Sequence, residues 1–344
     1  MIDVVATLVA RDGGEVERKG CRTGFGQALL ELAEQRSDVV VLTGDLADST
    51  RVVKFGQQFP ERFFDVGVAE QNMMGIAAGL ALTGKVPFLT SYATFSPGRN
   101  WDQFRVSVAY TQANVKVVGA HAGLSVGPDG ATHEALEDIA IVRVLPGVVV
   151  VVPCDYEQAR QATHTLAEHV GPAYIRFGRE DTPVVTTTET GFELGRAQLF
   201  REGGDVSLLA CGPLVYEALR AADELARDGI EAQVLNVHTI KPLDVDAILR
   251  CADETGALVT VEEHQVHGGL GGAVAEALAL HRPTPLEMVG MPDSFGESGK
   301  AAELLDKWGL TAPAIVDRAR RVMARRDGAS GAARGDAAAR AASR

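Results

Sequence analysis

The sequence predicts an α/β protein made of two consecutive three-layer α/β/α domains, each built on a mostly parallel sheet. Three observations carry this. Short Val-rich apolar runs recur with helix-like stretches between them, the pattern of parallel strands covered on both faces. A polar stretch, Glu180–Gly195, which contains TPVVTTTETG, interrupts that alternation once. The chain's 344 residues are enough for about two domains. The domains are therefore expected at 20–190 and 191–324, after an N-terminal segment at 1–19 and before a tail at 325–344.

In the first series VVVLTG (39–44), VPFLTS (86–91), VKVVGA (115–120), VVVVVP (148–153) and AYIRFG (173–178) read as strands. Helices are expected after Glu70 and over Asp155–His169. The second series begins near residue 205 with DVSLLACG, a helix over Tyr216–Asp228 and the strand run EAQVLNVHTI. A helix near Asp244–Ala252, the strand ALVTVEEH and a helix after the glycines at 268–272 follow. The tail, RRDGASGAARGDAAARAASR, has almost no large apolar residues to offset its ordering entropy, and its glycines oppose a helix, so it reads as disordered.

Lys and Arg number 33 against 46 Asp and Glu, a net charge of −13 that matches nucleic-acid phosphates poorly, so no nucleic-acid partner is expected. Small anions need only a local cluster of cations. The cysteines Cys21, Cys154, Cys211 and Cys251 form no CxxC, which argues against a zinc ribbon and fits the reducing cytoplasm. No run of about 18 apolar residues marks a membrane span. The start, MIDVVATLVARDGG, lacks a basic region and reads as mature protein rather than signal peptide. The glycines of HGGLGGAVAE (267–276) do not make a dinucleotide fingerprint, and neither Walker A nor G-x-S-x-G occurs.

Four stretches are candidates for chemistry. FFDVGVAEQNMMGIAAGLALTG (63–84) puts Glu70 where a short strand meets a helix of small residues. Glu70 could simply complement the helix dipole, or be a buried carboxyl suited to proton exchange. AHAGLSVGPDGATHEALEDIA (120–140) carries His121, Asp129 and His133 among glycines that permit tight turns. Asp129-Gly130 could be only a turn, and Thr132 only the N-cap of a helix opening THEALED. VLTGDLADST (41–50) is a strand followed by a polar loop, the place where open α/β sheets bind ligands; Asp45 and Asp48 could equally be capping residues. YATFSPGRNWDQ (92–103) puts Tyr92 and Phe95 after another strand, as core residues or as a surface for a planar ring.

Taken in order, GDLADST, VGVAEQNMMGIAAGLA, YATF, HAGLSVGPDGATHE, VVVPCD and VEEHQVHGGLG resemble transketolase over about residues 20–322. The H-x7-D-G-x2-H pattern of His121, Asp129, Gly130 and His133 is particularly specific. The segment DSFGESGKAAELLDKWGL is similar to the C-terminal chain of a split transketolase. The family's GDG motif, which with Mg²⁺ holds the diphosphate of thiamine diphosphate, is absent from the sequence. The resemblance therefore implies a cofactor shared with a partner chain that supplies GDG and Mg²⁺, in an α2β2 heterotetramer.

By the same resemblance Glu70 contacts N1′ of the cofactor, Phe95 stacks on its pyrimidine, and Asp45 and Leu46 line its site. Arg22, Ser49, His121 and Arg179 would bind a sugar phosphate. Asp129 would recognise a donor hydroxyl, and His133 the donor carbonyl or hydroxyl region. Glu70, His121 and His133 would be the catalytic residues, with no metal ligands on this chain. SPGR at 96–99 departs from the family's aromatic segment, which makes Arg99 a candidate substrate contact. The implied reaction is transfer of a two-carbon ketol unit from a ketose to an aldose. The alternatives are a 1-deoxyxylulose-5-phosphate synthase-like or 2-oxo acid dehydrogenase E1β-like subunit, or a non-catalytic half-transketolase; the His121–His133 pattern favours ketol transfer.

Overall fold

The computed structural model describes Leu8 and residues 16–342, with side chains described up to Gly328; most of the expected segment 1–19 lies outside them. Fourteen strands occur among the described residues. They are β1 (Arg18–Lys19), β2 (Val39–Thr43), β3 (Phe63–Asp65), β4 (Val86–Tyr92), β5 (Lys116–Ala120), β6 (Val149–Val151) and β7 (Ala173–Arg176). Then come β8 (Thr182–Pro183), β9 (Gln198–Arg201), β10 (Val206–Ala210), β11 (Ala232–Asn236), β12 (Thr239–Lys241), β13 (Leu258–Gln265) and β14 (Leu286–Met291). The α-helices are α1 (Cys21–Gln35), α2 (Val53–Gln58), α3 (Glu70–Leu82), α4 (Trp101–Gln103), α5 (Asp138–Arg143) and α6 (Tyr156–Glu168). After them follow α7 (Leu214–Arg227), α8 (Val245–Thr255), α9 (Leu270–His281), α10 (Ala301–Lys307) and α11 (Ala312–Ala342).

The larger sheet has the order β12-β6-β7-β5-β4-β2-β3 and is parallel except for β12. Its strands are apolar on both faces, as two-sided covering demands. Val39 and Val41 join a core with α1 and α6, while Val40 and Leu42 face a second core with α3 and α5. The smaller sheet, β14-β13-β10-β11-β9, is parallel except for β9. Leu208 and Val259 pack with α7 and α11, whereas Leu209 and Leu258 share the core of the larger sheet with α8 and α9. This is the two-sheet α/β architecture that the sequence predicts.

Asp155 caps α6 by accepting the Gln158 amide at 2.9 Å. Its carboxylate also accepts the amides of Val185 and Thr186, each at 2.7 Å, which ties the polar stretch to the start of α6.

Two sequence expectations give way here. EAQVLNVHTI does not form one strand: it divides into β11 in the smaller sheet and β12, which pairs antiparallel with β6 in the larger. The tail expected to be disordered from 325 is helical to Ala342. Alanine and arginine are strong helix formers, and the tail's start is anchored. Arg325 pairs with Glu287 at 2.7 Å, and Arg326 donates to the carbonyls of Asp205 and Thr255 at 2.7 and 2.9 Å.

Candidate active site

The residues singled out from the sequence gather at the C-terminal ends of five adjacent parallel strands, where an open α/β sheet holds its ligands. Running along the sheet, Arg179 follows β7, His121 follows β5, and Tyr92, Phe95 and Arg99 come at the end of β4 or after it. Asp45, Leu46, Ser49 and Arg51 follow β2, and Glu70 follows β3. Asp129 and His133 reach the same edge on the loop beyond His121.

Glu70 is the first residue of α3 and is 1% exposed. The Asp65 carboxylate accepts the amides of Asp45 and Gly67, both at 3.0 Å, and so couples the loops after β2 and β3. Gly67 turns with a φ of 71°, which a side chain would disfavour. Asn100 donates to the Glu70 carbonyl at 3.2 Å and fastens the 95–100 loop to the helix start. One Glu70 carboxylate oxygen, Oε2, accepts from Arg99 Nη1 at 2.6 Å; the other, Oε1, is buried with no hydrogen-bond partner.

Beside it stands a wall of rings. Tyr92 stacks on His121, with centroids 4.0 Å apart and planes 18° apart, and Phe95 meets His133 edge-on at 5.3 Å. His121 takes a φ of 52°, a strained conformation for a residue with a side chain, and its Nδ1 is buried without a partner. Burial first, then the cations Arg22, Arg179 and Arg51, with a smaller push from His133, bring its pKa down to about 3. His121 is thus neutral near pH 7 and can both donate and accept. Thr94 Oγ1 donates to the His133 carbonyl at 2.9 Å, and Thr132 Oγ1 lies 2.9 Å from His133 Nδ1.

Around His121 lies a group of guanidinium ions. Arg22 Nη1 donates to the Ser49 carbonyl at 3.1 Å, while its Nε is buried without a partner. Burial and the neighbouring Arg51 lower the pKa of Arg22. Arg179 donates to the Val126 carbonyl at 3.1 Å and lies 3.7 Å from the Asp129 carboxylate. Asp48 lies 3.4 Å from Arg51 and offsets part of the mutual repulsion, and the guanidinium cluster suits a phosphate or another strong oxyanion.

Arg99, expected among the substrate contacts, pairs with Glu70 and lies over Phe95. Thr132 is not a helix cap, because the 131–137 stretch does not open a helix. A turn closes onto Gly130, Ala135 bridges Ala122, and Gly123 N donates to the Ala135 carbonyl at 2.9 Å, so α5 begins only at Asp138.

Arg51 escaped sequence reasoning. It stands only two residues past Ser49, but its left-handed φ of 63° is what brings it into the group. It also borders a cavity of about 320 Å³ lined by Thr23, Gln27, Asp48, Lys54 and Gln57. Glu134 and Glu263 were missed as well. The Glu263 carboxylate accepts the Ser125 amide and so holds the His121–His133 loop against β13. Glu134 is 4% exposed with both oxygens unpartnered, and burial, aided by Glu263 and Glu297, pushes its carboxyl up to about 7.

Comparison with known proteins matches residues 18–184 to the transketolase pyrimidine-binding domain and 195–315 to the transketolase C-terminal domain. A putative transketolase C-terminal section of Methanocaldococcus jannaschii is 46% identical over 303 residues, covering 87% of this chain and 95% of that protein. The 6-deoxy-6-sulfo-D-fructose transketolase subunit SqwH of a Clostridium species is 47% identical over 91% of this chain and 97% of its own length. A solved split-gene transketolase, described as an inactive β4 tetramer, superposes with a TM-score of 0.84 at 44% identity, covering 89% of this chain and 98% of that one.

Proposed function

The chain belongs to the transketolase family, and on that premise we propose that it is the C-terminal subunit of a split transketolase. It moves a two-carbon ketol unit from a ketose phosphate to an aldose. The observation that carries this reading is the buried Glu70 carboxyl with one oxygen unpartnered at the strand-end cleft. A buried acceptor without a partner is costly unless a ligand completes it, so these residues fit a thiamine diphosphate pyrimidine.

When bound, the cofactor would supply the carbon nucleophile that adds to the donor carbonyl. Glu70 would hold N1′ and keep or share the proton there, a task suited to a carboxyl removed from water. Phe95 would pack on the pyrimidine, and Asp45 and Leu46 would line the cofactor. Neutral His121, with Arg22, Ser49 and Arg179, would bind the terminal phosphate. Asp129 would orient a donor hydroxyl, and His133 would donate to the donor's carbonyl region.

A partner chain with a GDG motif would hold the diphosphate and Mg²⁺, in an α2β2 assembly in the cytoplasm. None of the described helices is long and apolar enough to cross a membrane. The test is to reconstitute the chain with such a partner, thiamine diphosphate and Mg²⁺, and to compare ketol transfer with pyruvate decarboxylation. Ketol transfer only in the assembled pair supports the reading; transfer by this chain alone, or decarboxylation of pyruvate instead, overturns it.

A further inference from the structure

Glu70 and Phe95 are already engaged, and by one side chain. Arg99 Nη1 donates to Glu70 Oε2 at 2.6 Å, and the Arg99 guanidinium carbon sits over the Phe95 ring, 4.7 Å from its centroid. We propose that Arg99 is a built-in occupant of the pyrimidine slot: in the unassembled chain its guanidinium uses the carboxylate and ring face that would take the cofactor's pyrimidine, and it withdraws when the cofactor seats. The proposal rests on the transketolase reading above.

The chemistry of the two occupants is alike. A guanidinium is planar, donates to a carboxylate and packs on an aromatic face. A pyrimidine that donates from N1′ to Glu70 while stacked on Phe95 would make the same pair of contacts. Arg99 holds only Oε2 and leaves Oε1 for N1′, so the two groups compete for the face of Phe95 rather than for the carboxylate itself.

The local backbone sets this up. Arg99 N donates to the Phe95 carbonyl at 2.9 Å, which turns the chain back over its own ring. Gly98 makes that turn possible, because a Cβ there would collide with the Thr94 carbonyl. The loop itself is held by Asn100, which bonds both the Glu70 carbonyl and Ser96. So the backbone is fixed while the side chain borders solvent: the Arg99 side chain is 47% exposed and Glu70 only 1%. Arg99 can leave into water without unpacking any core.

The arrangement has a purpose for a subunit that must wait for its partner. A buried carboxylate with no counterion is destabilising. Arg99 supplies the counterion until the cofactor arrives, at the cost of competing with it. Apparent affinity falls by the fraction of molecules whose slot is open.

The experiment uses Arg99→Met, which keeps length and apolar bulk but removes the charge. Thermal unfolding of the full chain alone is measured together with thiamine diphosphate affinity of the chain reconstituted with a GDG-containing partner. The expected results are a midpoint lowered by about 2–4 °C and cofactor affinity tightened about tenfold, as for a slot otherwise open in about a tenth of molecules. In a Glu70→Gln background, adding Arg99→Met should cause little further loss of midpoint. Weaker cofactor binding by Arg99→Met would make Arg99 a cofactor or substrate contact and overturn the proposal. Unchanged midpoint and affinity would reduce the pair to a surface ion pair. A complex that binds no cofactor at all sinks the functional reading, and this proposal with it; one that binds normally but ignores Arg99 sinks this proposal alone.

Discussion

Arg22→Met separates ligand binding from folding. Arg22 is a half-buried cation whose one hydrogen bond among the described residues goes to the Ser49 carbonyl, at 3.1 Å. On balance its surroundings oppose its charge: burial comes first and Arg51 second, and Arg179 adds to the repulsion, while Asp181 and Glu180 partly offset it. Removing the guanidinium loses that one bond but relieves the repulsion, so the melting temperature should move by no more than about 2–4 °C. A phosphate on the donor sugar would lose one charge-assisted hydrogen bond, worth about 1.5–3 kcal/mol. At about 1.36 kcal/mol per factor of ten, kcat/KM for a ketose phosphate should fall roughly 10–150-fold. The assay compares that donor with the same ketose lacking the phosphate, in the reconstituted complex. An equal loss for both donors, or a large fall in melting temperature, would refute the assignment of Arg22 to an anion.

Other consequences follow from burial and from pH. Asp138 and Arg176, 1% and 2% exposed, pair at 2.8 Å, and Tyr174 adds a hydroxyl to the same carboxylate at 2.7 Å. Asp138→Ala strands a buried guanidinium and should cost about 3–5 kcal/mol in chemical denaturation. Gly24→Ala drives a Cβ into the Tyr156 carbonyl where α1 meets α6 and should cost about 1–3 kcal/mol or more. His121 and His238 are both held down to about 3 by burial, against an ordinary value of 6.5. The unfolded chain binds more protons between those values, so each contributes stability that is full above pH 6.5 and lost as pH falls towards 3. The slope is up to about 1.4 kcal/mol per pH unit for each histidine. Denaturation curves at pH 4 to 6 should show it, and His238→Gln should remove its share.

Legibility of the sequence followed how local the cause was. The strands β2, β4, β5, β6 and β7 were readable because a strand buried on both faces reads as a mostly apolar run, as VVVLT does. The division of EAQVLNVHTI was not, since only the register of Thr239 against Val151 shows that its end belongs to another sheet. The tail misread had a similar origin: composition argued for disorder, whereas contacts from Arg325 and Arg326 to residues more than thirty positions away anchor the helix. Motif resemblance picked out Glu70, His121 and His133 with several of their neighbours, but not Arg51, Glu134 or Glu263. Arg51 depends on a backbone conformation, and Glu134 and Glu263 on packing between distant segments. The Arg99–Glu70 pair joins residues whose individual motifs gave no hint of each other.

The claim that Glu70 drives cofactor chemistry is tested most directly by C2 proton exchange of thiamine diphosphate bound to the complex carrying Glu70→Gln. An amide keeps the shape but cannot exchange a proton as a carboxyl does. Exchange should fall by roughly 10²–10⁴ while the melting temperature of the complex stays close to that of the parent. If Glu70 only complements the dipole of α3, the change would cost about 0.3–1 kcal/mol of stability and leave exchange intact. Unchanged exchange at saturating cofactor would contradict the account.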